Sequence, residues 1–316
     1  MFAPGIKRTL RLGRTTIISN PSSTRLDKAE VLALNLSMSV LTIQSRVASG
    51  YVGNSAAVPC LQQYGLDCLA VDTVHLSNHP AHGSHRGRQV PPKEVAELIY
   101  GISERGILGE VQAIQSGYLG ALEIGPVVLD AVDAVKKVAP LAPYCLDPVM
   151  GDNGTIYVED GLVDFFRTQA LPAADIIMPN IFEAACLLGR PLTGLEDAIT
   201  AACDLQVLGP TRVIVTGIGT PVGVTNIGVQ GSRIWQVETP RVDVTTSGAG
   251  DVFAAIFLGC LIGRGASFET ALETACNFVF VLLLKTKELG KPDIALIETL
   301  HHTSTTNSIY QVKSIR

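Results

Sequence analysis

The sequence predicts an α/β fold in which helices cover a central, mostly parallel sheet. Short runs rich in β-branched and apolar residues alternate with helical stretches of roughly 10 to 15 residues, an order typical of βαβ units. The chain has 316 residues, of which 47% are hydrophobic and 17% charged. A chain of this composition can bury a large core, and the balance excludes a disordered or fibrous protein.

The individual elements follow one another from residue 38 onward. Short apolar runs predict strands at 40–43, 68–71, 113–115, 144–146, 176–178 and 213–215. The stretches between them predict helices at 55–64, 92–105, 125–138, 163–170, 182–188 and 198–208. Two further runs, 223–229 and 233–238, flank a turn centred on Gly231 and predict a hairpin. A long apolar helix is expected after Asp251, and a second helix from Phe268.

One folded domain is predicted over residues 38–300. Residues 1–37 are basic and rich in Ser and Thr, with weak apolar periodicity, so a disordered extension is expected there. An organellar transit peptide and a true start at Met38 are the alternatives to that interpretation. Residues 301–316 are polar and are expected to form a poorly ordered tail.

Charge, hydropathy and cysteine spacing exclude several classes of protein. The net charge of −5 argues against a nucleic-acid partner, which requires a basic face. The longest apolar stretches, 252–263 and 278–284, are shorter than the roughly 20 residues that cross a bilayer, so no membrane partner is expected. The seven cysteines are scattered and form no Cys-x-x-Cys pair. They indicate buried thiols in a reducing compartment, and we expect a cytoplasmic protein.

The strongest functional signal is the run Gly248-Ala249-Gly250-Asp251, which stands directly before a long apolar stretch. Glycines let the backbone turn and let a ligand approach closely. The N–H groups at the start of the predicted helix would face an anion, with the positive end of the helix dipole behind them. Asp251 is then placed to accept a proton from a hydroxyl that attacks a phosphoryl group. The alternative is a glycine-rich helix entry in which Asp251 is an ordinary first-turn acid.

Two acidic motifs follow predicted strands and suit a magnesium-bound phosphate. Asp147 and Asp152 come just after one strand, at the edge where open α/β sheets bind ligands, and Asn180 and Glu183 come after the next. Mg²⁺ uses few carboxylate ligands together with phosphate oxygens and water. The alternatives are a turn built from Asp, Pro and Gly at the first motif and a helix capping box at the second.

Four histidines, His75, His79, His82 and His85, are closely spaced and suggest a metal cluster. Pro80 and the neighbouring Gly and Ser residues exclude a continuous helix that would stack them, and no cysteine joins them. The segment is therefore predicted to be a polar, mobile loop over a pocket, with a zinc site as the alternative.

These motifs, in this order, resemble those of the pyridoxal kinases of the ribokinase-like superfamily, from about Met38 to Lys285. Residues 43–54 resemble the family's opening strand and turn, 76–79 its substrate loop, and 116–118 the end of its third strand. Any one motif is weak, whereas the ordered set is specific. The resemblance implies a ribokinase-like three-layer α/β/α sandwich.

The resemblance also implies an activity. It is the ATP-dependent phosphorylation of the 5′-hydroxyl of pyridoxal to pyridoxal 5′-phosphate in vitamin B6 salvage, with pyridoxine and pyridoxamine as further substrates. Pyridoxal and ATP would be the small-molecule partners, Mg²⁺ and K⁺ the cofactors, and a homodimer the assembly. Phosphoryl transfer depends on positioning and charge neutralisation more than on covalent chemistry, which fits these residues.

The same resemblance assigns a role to each candidate residue. Asp251 would be the catalytic base, and the backbone N–H groups of Gly248, Ala249 and Gly250 would hold the transferring phosphoryl group. The substrate side would comprise Ser45, Val52, Pro80 and Tyr118 together with Asp251. The nucleotide would meet Asp147, Asn180, Glu183, Thr216, Gly248 and Gly250. The metal would meet Asp147, Asp152 and Glu183.

Two positions depart from the family's pattern. Pro80 stands where the family commonly has a threonine that contacts the substrate, and proline has neither a hydroxyl nor an N–H. Ala249 replaces the usual threonine between the two glycines, and it keeps the backbone donor. The alternatives to a pyridoxal kinase are a hydroxymethylpyrimidine kinase of the same superfamily and a degenerate, non-catalytic vitamer-binding protein.

Overall fold

The computed structural model describes residues 9–12, 15–18, 38–301 and 309–315. The chain divides into two units, Met1–Ser37 and Met38–Arg316. In the first unit, β1 (Thr9–Leu12) and β2 (Thr15–Ile18) pair antiparallel, with Thr9 opposite Ile18. These strands differ from the disordered extension expected over residues 1–37, and the rest of that expectation lies outside the described residues.

The second unit is built on one large sheet. Its strands are β3 (Ser39–Val47), β4 (Asp67–Leu76), β5 (Gly87–Gln89), β6 (Val111–Ser116), β7 (Tyr144–Leu146), β10 (Ile176–Ile177), β11 (Arg212–Gly219), β12 (Val224–Gln230), β13 (Arg233–Thr239) and β14 (Lys313–Ser314). The order across the sheet is β14-β13-β12-β11-β10-β7-β6-β3-β4-β5. A small separate hairpin consists of β8 (Gly151–Asp152) and β9 (Thr155–Ile156).

The core of this sheet is parallel. Strands β4, β3, β6, β7, β10 and β11 run in the same direction, and β5, β12, β13 and β14 join antiparallel. All six strands predicted from apolar runs are present, and the predicted hairpin is formed by β12 and β13. The carboxyl ends of the parallel strands therefore meet at one edge of the sheet, which places the loops that follow them side by side.

The helices follow the predicted order. They are α1 (Asn54–Gln62), α2 (Pro92–Glu104), α3 (Ile124–Val138), α4 (Leu162–Phe165), α5 (Ile181–Leu188), α6 (Gly194–Val207), α7 (Ala249–Leu258), α8 (Phe268–Leu289) and α9 (Leu296–Leu300). The helix predicted at 163–170 differs in form, because α4 passes into a π-helical turn, Phe166–Ala170. A second π-helical turn, Gly259–Gly263, continues α7.

Two apolar layers enclose the sheet. Leu41 and Ile43 of β3 pack with residues of α2, α3 and α6 on one face, and Val40 packs with residues of α1, α7 and α8 on the other. This alternation along a strand is what a sheet buried on both faces requires, since successive side chains point to opposite faces. The predicted three-layer α/β/α sandwich is confirmed. No described helix has the length and apolarity of a membrane span.

The chain end differs from the expected poorly ordered tail. Residues 309–315 lie along the sheet, where Ser314 of β14 pairs with Trp235 of β13. The side-chain carbonyl of Asn277 accepts hydrogen bonds from the backbone N–H groups of Ile309 and Tyr310, each at 2.9 Å. Four apolar residues in an otherwise polar segment, Ile309, Tyr310, Val312 and Ile315, were the sequence signal for this docking. Residues 302–308 and 316 lie outside the described part.

Candidate active site

A cavity of about 900 Å³ opens at the carboxyl edge of the parallel strands. Every candidate residue from the sequence lines it: Ser45, Val52, Pro80, Tyr118, Asp147, Asp152, Asn180, Glu183, Thr216, Gly248, Ala249, Gly250 and Asp251. These residues come from segments that are distant in the chain. The fold therefore brings the predicted set together in one place, and their individual roles remain predictions.

The glycine run forms the entry to α7. Gly248 precedes the helix in the left-handed conformation, with a φ of 95°. A Cβ on Gly248 would overlap the carbonyl oxygen of Tyr51, so only glycine fits there. A Cβ on Gly250 would meet no atom within 4 Å, because this residue faces open space. The first N–H groups of α7 have no partner within the helix and lie at the cavity, where an anion can bind them.

Asp251 lies in the first turn of α7 and reaches back toward α1. Burial raises its pKa to about 6, and the nearby backbone N–H groups of Gly53 and of Asp251 itself oppose the rise because they favour the charged form. The carboxylate is therefore ionised at neutral pH and remains basic enough to accept a proton, which is the property a general base requires.

Asp147 and Glu183 form a buried acidic pair beside Asp251. Glu183 accepts hydrogen bonds from the backbone N–H groups of Asn180 at 2.8 Å and Met150 at 3.1 Å. Burial raises the pKa of Glu183 to about 7, and burial together with the charges of Glu183 and Asp251 raises the pKa of Asp147. Within the described residues, no Lys or Arg forms an ion pair with either carboxylate. An acidic pair left without a protein cation is suited to bind an external one.

Asn180 caps α5 and also reaches the cavity. Its side-chain oxygen accepts a hydrogen bond from the backbone N–H of Glu183 at 2.9 Å, and the Glu183 carboxylate accepts one from the backbone N–H of Asn180. The capping box considered from the sequence is therefore present. The Asn180 amide also donates to the carbonyl of Gly151 at 3.0 Å. Thr216 lies beside Asn180 through a parallel bridge between their backbones.

The predicted three-carboxylate metal set does not converge. Asp152 is exposed on the β8–β9 hairpin, and its carboxylate accepts hydrogen bonds from the backbone and side-chain nitrogens of Asn153, at 2.7 and 3.0 Å. In the part of the chain that is described, no three His, Cys, Asp or Glu side chains are grouped as a metal would require. Asp152 lines the cavity from this exposed hairpin, whereas Asp147 and Glu183 are buried.

The histidine segment lines the cavity as a loop. Its residues His79, Pro80 and Ala81 face the cavity, as the sequence predicted. His79 lies 3.3 Å from the Ser247 hydroxyl, and burial lowers the pKa of His79. His82 contacts Asp293 at 2.9 Å. His79 and His82 therefore contact different side chains, Ser247 and Asp293.

The remaining candidates form an apolar side of the cavity. Ser45 and Val52 are buried, Tyr118 is half-buried, and Pro80 is exposed at the rim. Burial raises the pKa of the Tyr118 hydroxyl, with a smaller contribution from Glu159. A flat, weakly polar ring fits such a wall, with the Ser45 hydroxyl as its hydrogen-bonding group.

Several lining residues were not predicted from the sequence, among them Tyr157, Asn226, Arg241, Cys276 and Phe280. A signal existed for Tyr157. The pair Asn153-Gly154 has positive φ at both residues, 50° and 81°, and this pair is typical of a two-residue hairpin turn. Such a turn folds the following residues back over the site. The other four lie on elements that pack here through long-range contacts, for which the sequence has no local signal.

Comparison with known proteins places these features among small-molecule kinases. A family model described as phosphomethylpyrimidine kinase matches residues 51–295. The pyridoxal kinase PdxY of Rubrobacter xylanophilus is 42% identical over 82% of this chain and 91% of its own length. That of Leifsonia xyli is 40% identical over 83% of this chain and 94% of its own length.

Solved structures agree with these matches. Pyridoxal kinase from Leishmania donovani in complex with ADP and pyridoxamine superposes with a TM-score of 0.83 at 26% identity, over 88% of this chain and 100% of that chain. Pyridoxal kinase from Trypanosoma brucei superposes with a TM-score of 0.79 at 28% identity, over 88% of this chain and 99% of that chain.

Proposed function

The chain belongs to the phosphomethylpyrimidine kinase family and, within it, to the pyridoxal kinases, and from this premise we propose that it transfers the γ-phosphoryl group of ATP to the 5′-hydroxyl of pyridoxal. The product is pyridoxal 5′-phosphate. The enzyme serves vitamin B6 salvage, and pyridoxine and pyridoxamine are further substrates. The Leishmania donovani relative has been crystallised with ADP and each of these two vitamers.

The observation that carries the proposal is the position of Asp251 at the open N-terminus of α7. The carboxylate accepts the proton of the attacking 5′-hydroxyl, while the N–H groups of Gly248, Ala249 and Gly250 hold the transferring phosphoryl group. The base and the anion site belong to one helix turn, so they keep a fixed spacing. That spacing supports an attack in line with the leaving oxygen.

The nucleotide phosphates occupy the side of the cavity that holds Asp147. Asn180 and Thr216 supply polar groups there, and the amides of Gly248 and Gly250 face the γ-phosphate. Within the described residues, Asp147 and Glu183 are, together with Asp251 at the helix entry, the carboxylates whose pKa burial raises. The raised pKa values of Asp147 and Glu183 and their lack of a protein cation fit Mg²⁺, which needs only one or two carboxylates when phosphates complete its shell.

Asp147 would hold the ion most directly, because both oxygens of Glu183 already accept backbone hydrogen bonds. Glu183 and the exposed Asp152 would act through water. When bound, Mg²⁺ neutralises negative charge on the phosphates. For K⁺ no second buried carboxylate pair exists in the described residues, so this cofactor is proposed from the family resemblance alone.

The pyridine ring occupies the apolar side of the cavity. Val52 and Tyr118 pack beside it, Ser45 donates or accepts a hydrogen bond at the ring, and Pro80 closes the rim. A homodimer is the proposed assembly, in keeping with the family. All seven cysteines are free, which fits the reducing environment of the cytoplasm.

The test is product formation from ATP and Mg²⁺, with pyridoxal, pyridoxine, pyridoxamine and hydroxymethylpyrimidine offered in parallel and the products identified by mass. We expect preferred turnover of pyridoxal. Turnover of the pyrimidine alone would favour the second candidate, a pyrimidine kinase, which the description of the matching family model supports. Binding of pyridoxal without turnover would indicate a non-catalytic vitamer-binding protein.

The Asp251→Asn variant tests the base. Removal of a general base lowers turnover by about 10² to 10⁴-fold, while ATP and pyridoxal should still bind. Asp130→Asn is the matched control, since it also neutralises a carboxylate but one that is exposed on α3 and does not line the cavity. Unchanged turnover in Asp251→Asn would remove Asp251 from the mechanism.

A further inference from the structure

Asn54 is a buried polar residue that the activity described above leaves without a role. It is the first residue of α1 and it is 1% exposed. Burying an amide among apolar side chains is costly unless all its hydrogen bonds are made. An apolar residue would be tolerated here more readily if the position served packing alone.

The Asn54 side chain ties the start of α1 to two neighbouring strands. Its oxygen accepts a hydrogen bond from the Thr42 hydroxyl at 2.9 Å. Its amide donates to the carbonyl of Val71 at 3.1 Å and to the carboxylate of Asp72 at 2.7 Å, with a longer contact to the carbonyl of Gln44 at 3.4 Å. The donor and acceptor groups of this one side chain are therefore used to hold α1 against β3 and β4.

The residue held in place by Asn54 is Gly53, and Gly53 contacts both sides of the site. Its backbone N–H faces the Asp251 carboxylate closely enough to favour the charged form and oppose the rise in its pKa. Its φ is 51°, and a Cβ there would overlap the backbone and hydroxyl oxygens of Ser45. Two residues earlier, the Tyr51 carbonyl lies against Gly248. One short turn thus touches the ring-binding serine, the glycine run and the carboxylate.

We propose that Asn54 is a positioning residue for phosphoryl transfer, which fixes the Gly53 amide and thereby orients the Asp251 carboxylate toward the attacking hydroxyl. The inference rests on the proposed role of Asp251 as the base. Asn54 does not touch the cavity, so it acts only through Gly53. A carboxylate that rotates away from the reacting hydroxyl loses most of its rate advantage, while the binding surfaces for ATP and the vitamer stay intact.

The experiment compares Asn54→Ala with Asn277→Ala. Asn277 is an equally suitable control because its side chain is also buried and makes four hydrogen bonds, to Glu273, Ile309 and Tyr310, away from the cavity. Turnover, the KM for each substrate and the urea unfolding midpoint are measured for both. We expect Asn54→Ala to lower kcat by about 10 to 100-fold, because misplacing a reacting group by about 1 Å costs that much.

The KM values of Asn54→Ala should stay within about threefold of the parent, and Asn277→Ala should keep kcat within about twofold despite a comparable loss of stability. An equal fall of kcat in both variants would assign Asn54 a purely structural role and overturn the proposal. A rise in KM with unchanged kcat would overturn it too, because it would show lost binding and not lost orientation.

If Asn54→Ala does not fold, Thr42→Val takes its place. This change keeps the shape of Thr42 and removes its hydroxyl, which donates to Asn54 and also accepts a hydrogen bond from the Gln44 side chain. A lower kcat at unchanged KM is expected, and a parental kcat would overturn the proposal. Asp251→Asn is measured alongside. If Asp251→Asn retains turnover, the assignment of Asp251 as the base is wrong. If Asp251→Asn loses turnover but the Asn54 variant does not, only the positioning role of Asn54 is wrong.

Discussion

Gly248 lies directly against the backbone carbonyl of Tyr51, although the two residues are far apart in the chain. A side chain on Gly248 would overlap that carbonyl oxygen and would also lie 3.1 Å from Ile294 Cδ1. The glycine run before α7 is therefore backed by the turn that leads into α1. This contact holds the anion-binding amides at a fixed distance from the groups that carry the substrate.

Gly248→Ala should abolish most activity and destabilise the fold. The change adds an overlap with Tyr51 to the cost of a left-handed φ, and we expect a loss of about 2 to 4 kcal/mol in the free energy of unfolding, with turnover reduced at least 100-fold. Urea unfolding and steady-state kinetics measure both effects.

Gly231→Ala is the matched control for that substitution. Gly231 also has a positive φ, of 60°, but a Cβ there meets no atom within 4 Å. Gly231→Ala should lower the free energy of unfolding by only about 1 kcal/mol, which is the cost of the left-handed φ for alanine. It should leave turnover unchanged. Equal losses in the two variants would show that the contact with Tyr51 is unimportant.

Activity should fall as the pH drops below about 6. Burial raises the pKa of Asp251 to about 6, and only the ionised carboxylate can accept a proton. A plot of kcat/KM for pyridoxal against pH is expected to show an acid limb near pH 6, with about a tenfold loss at pH 5. The same limb should remain in Asp130→Asn. A profile that stays flat to pH 5, while the protein remains folded, would contradict this assignment.

Asp147→Asn should stabilise the ligand-free protein at high pH. Burial and the charges of Glu183 and Asp251 raise the pKa of Asp147, so the ionised side chain costs stability, and that cost grows as the pH rises from about 4 through the raised pKa. The difference in stability between the variant and the parent should be smallest near pH 4 and should grow steadily toward pH 8. Thermal unfolding at several pH values measures this difference.

The same variant should lose its response to Mg²⁺. In the parent, Mg²⁺ with ATP should raise the unfolding temperature most strongly at high pH, where the acidic pair is ionised. An Asp147→Asn protein that is less stable than the parent at pH 8 would show that repulsion at the acidic pair is not the dominant effect.

Pro80→Thr should tighten pyridoxal binding. Threonine supplies the hydroxyl that the family commonly has at this position, and one added hydrogen bond is worth about 1 kcal/mol, or about fivefold in KM. Pro80→Val is the control, since valine has the shape of threonine without the hydroxyl. A lower KM in both Pro80→Thr and Pro80→Val would show that removal of the proline ring, and not the added hydroxyl, causes the effect. An unchanged KM in both would show that Pro80 lies too far toward the rim to contact the vitamer.

Much of the fold follows from local patterns. The six predicted strands and the helices between them occur near the predicted bounds, because apolar periodicity reports directly which face of an element is buried. The C-terminal segment escaped prediction because its docking depends on Asn277, which is more than 30 residues away in the sequence. The interruption in α4 by a π-helical turn likewise has no reliable local signal.

By itself, the sequence determined the order of the elements and the identity of the chemical groups at the strand ends. Asp147 and Glu183 were recognisable because each follows an apolar run that must be buried, and parallel strands present their carboxyl ends at one edge. Asp251 was recognisable because glycines precede it and an apolar helix follows it. Only the tertiary structure decided how those groups are held. It placed Asp152 on an exposed hairpin at the cavity, engaged both oxygens of Glu183 with backbone amides, and set Gly53 against Asp251. Such contacts join residues distant in the chain, and their geometry depends on the packing of whole elements, which local propensity does not encode.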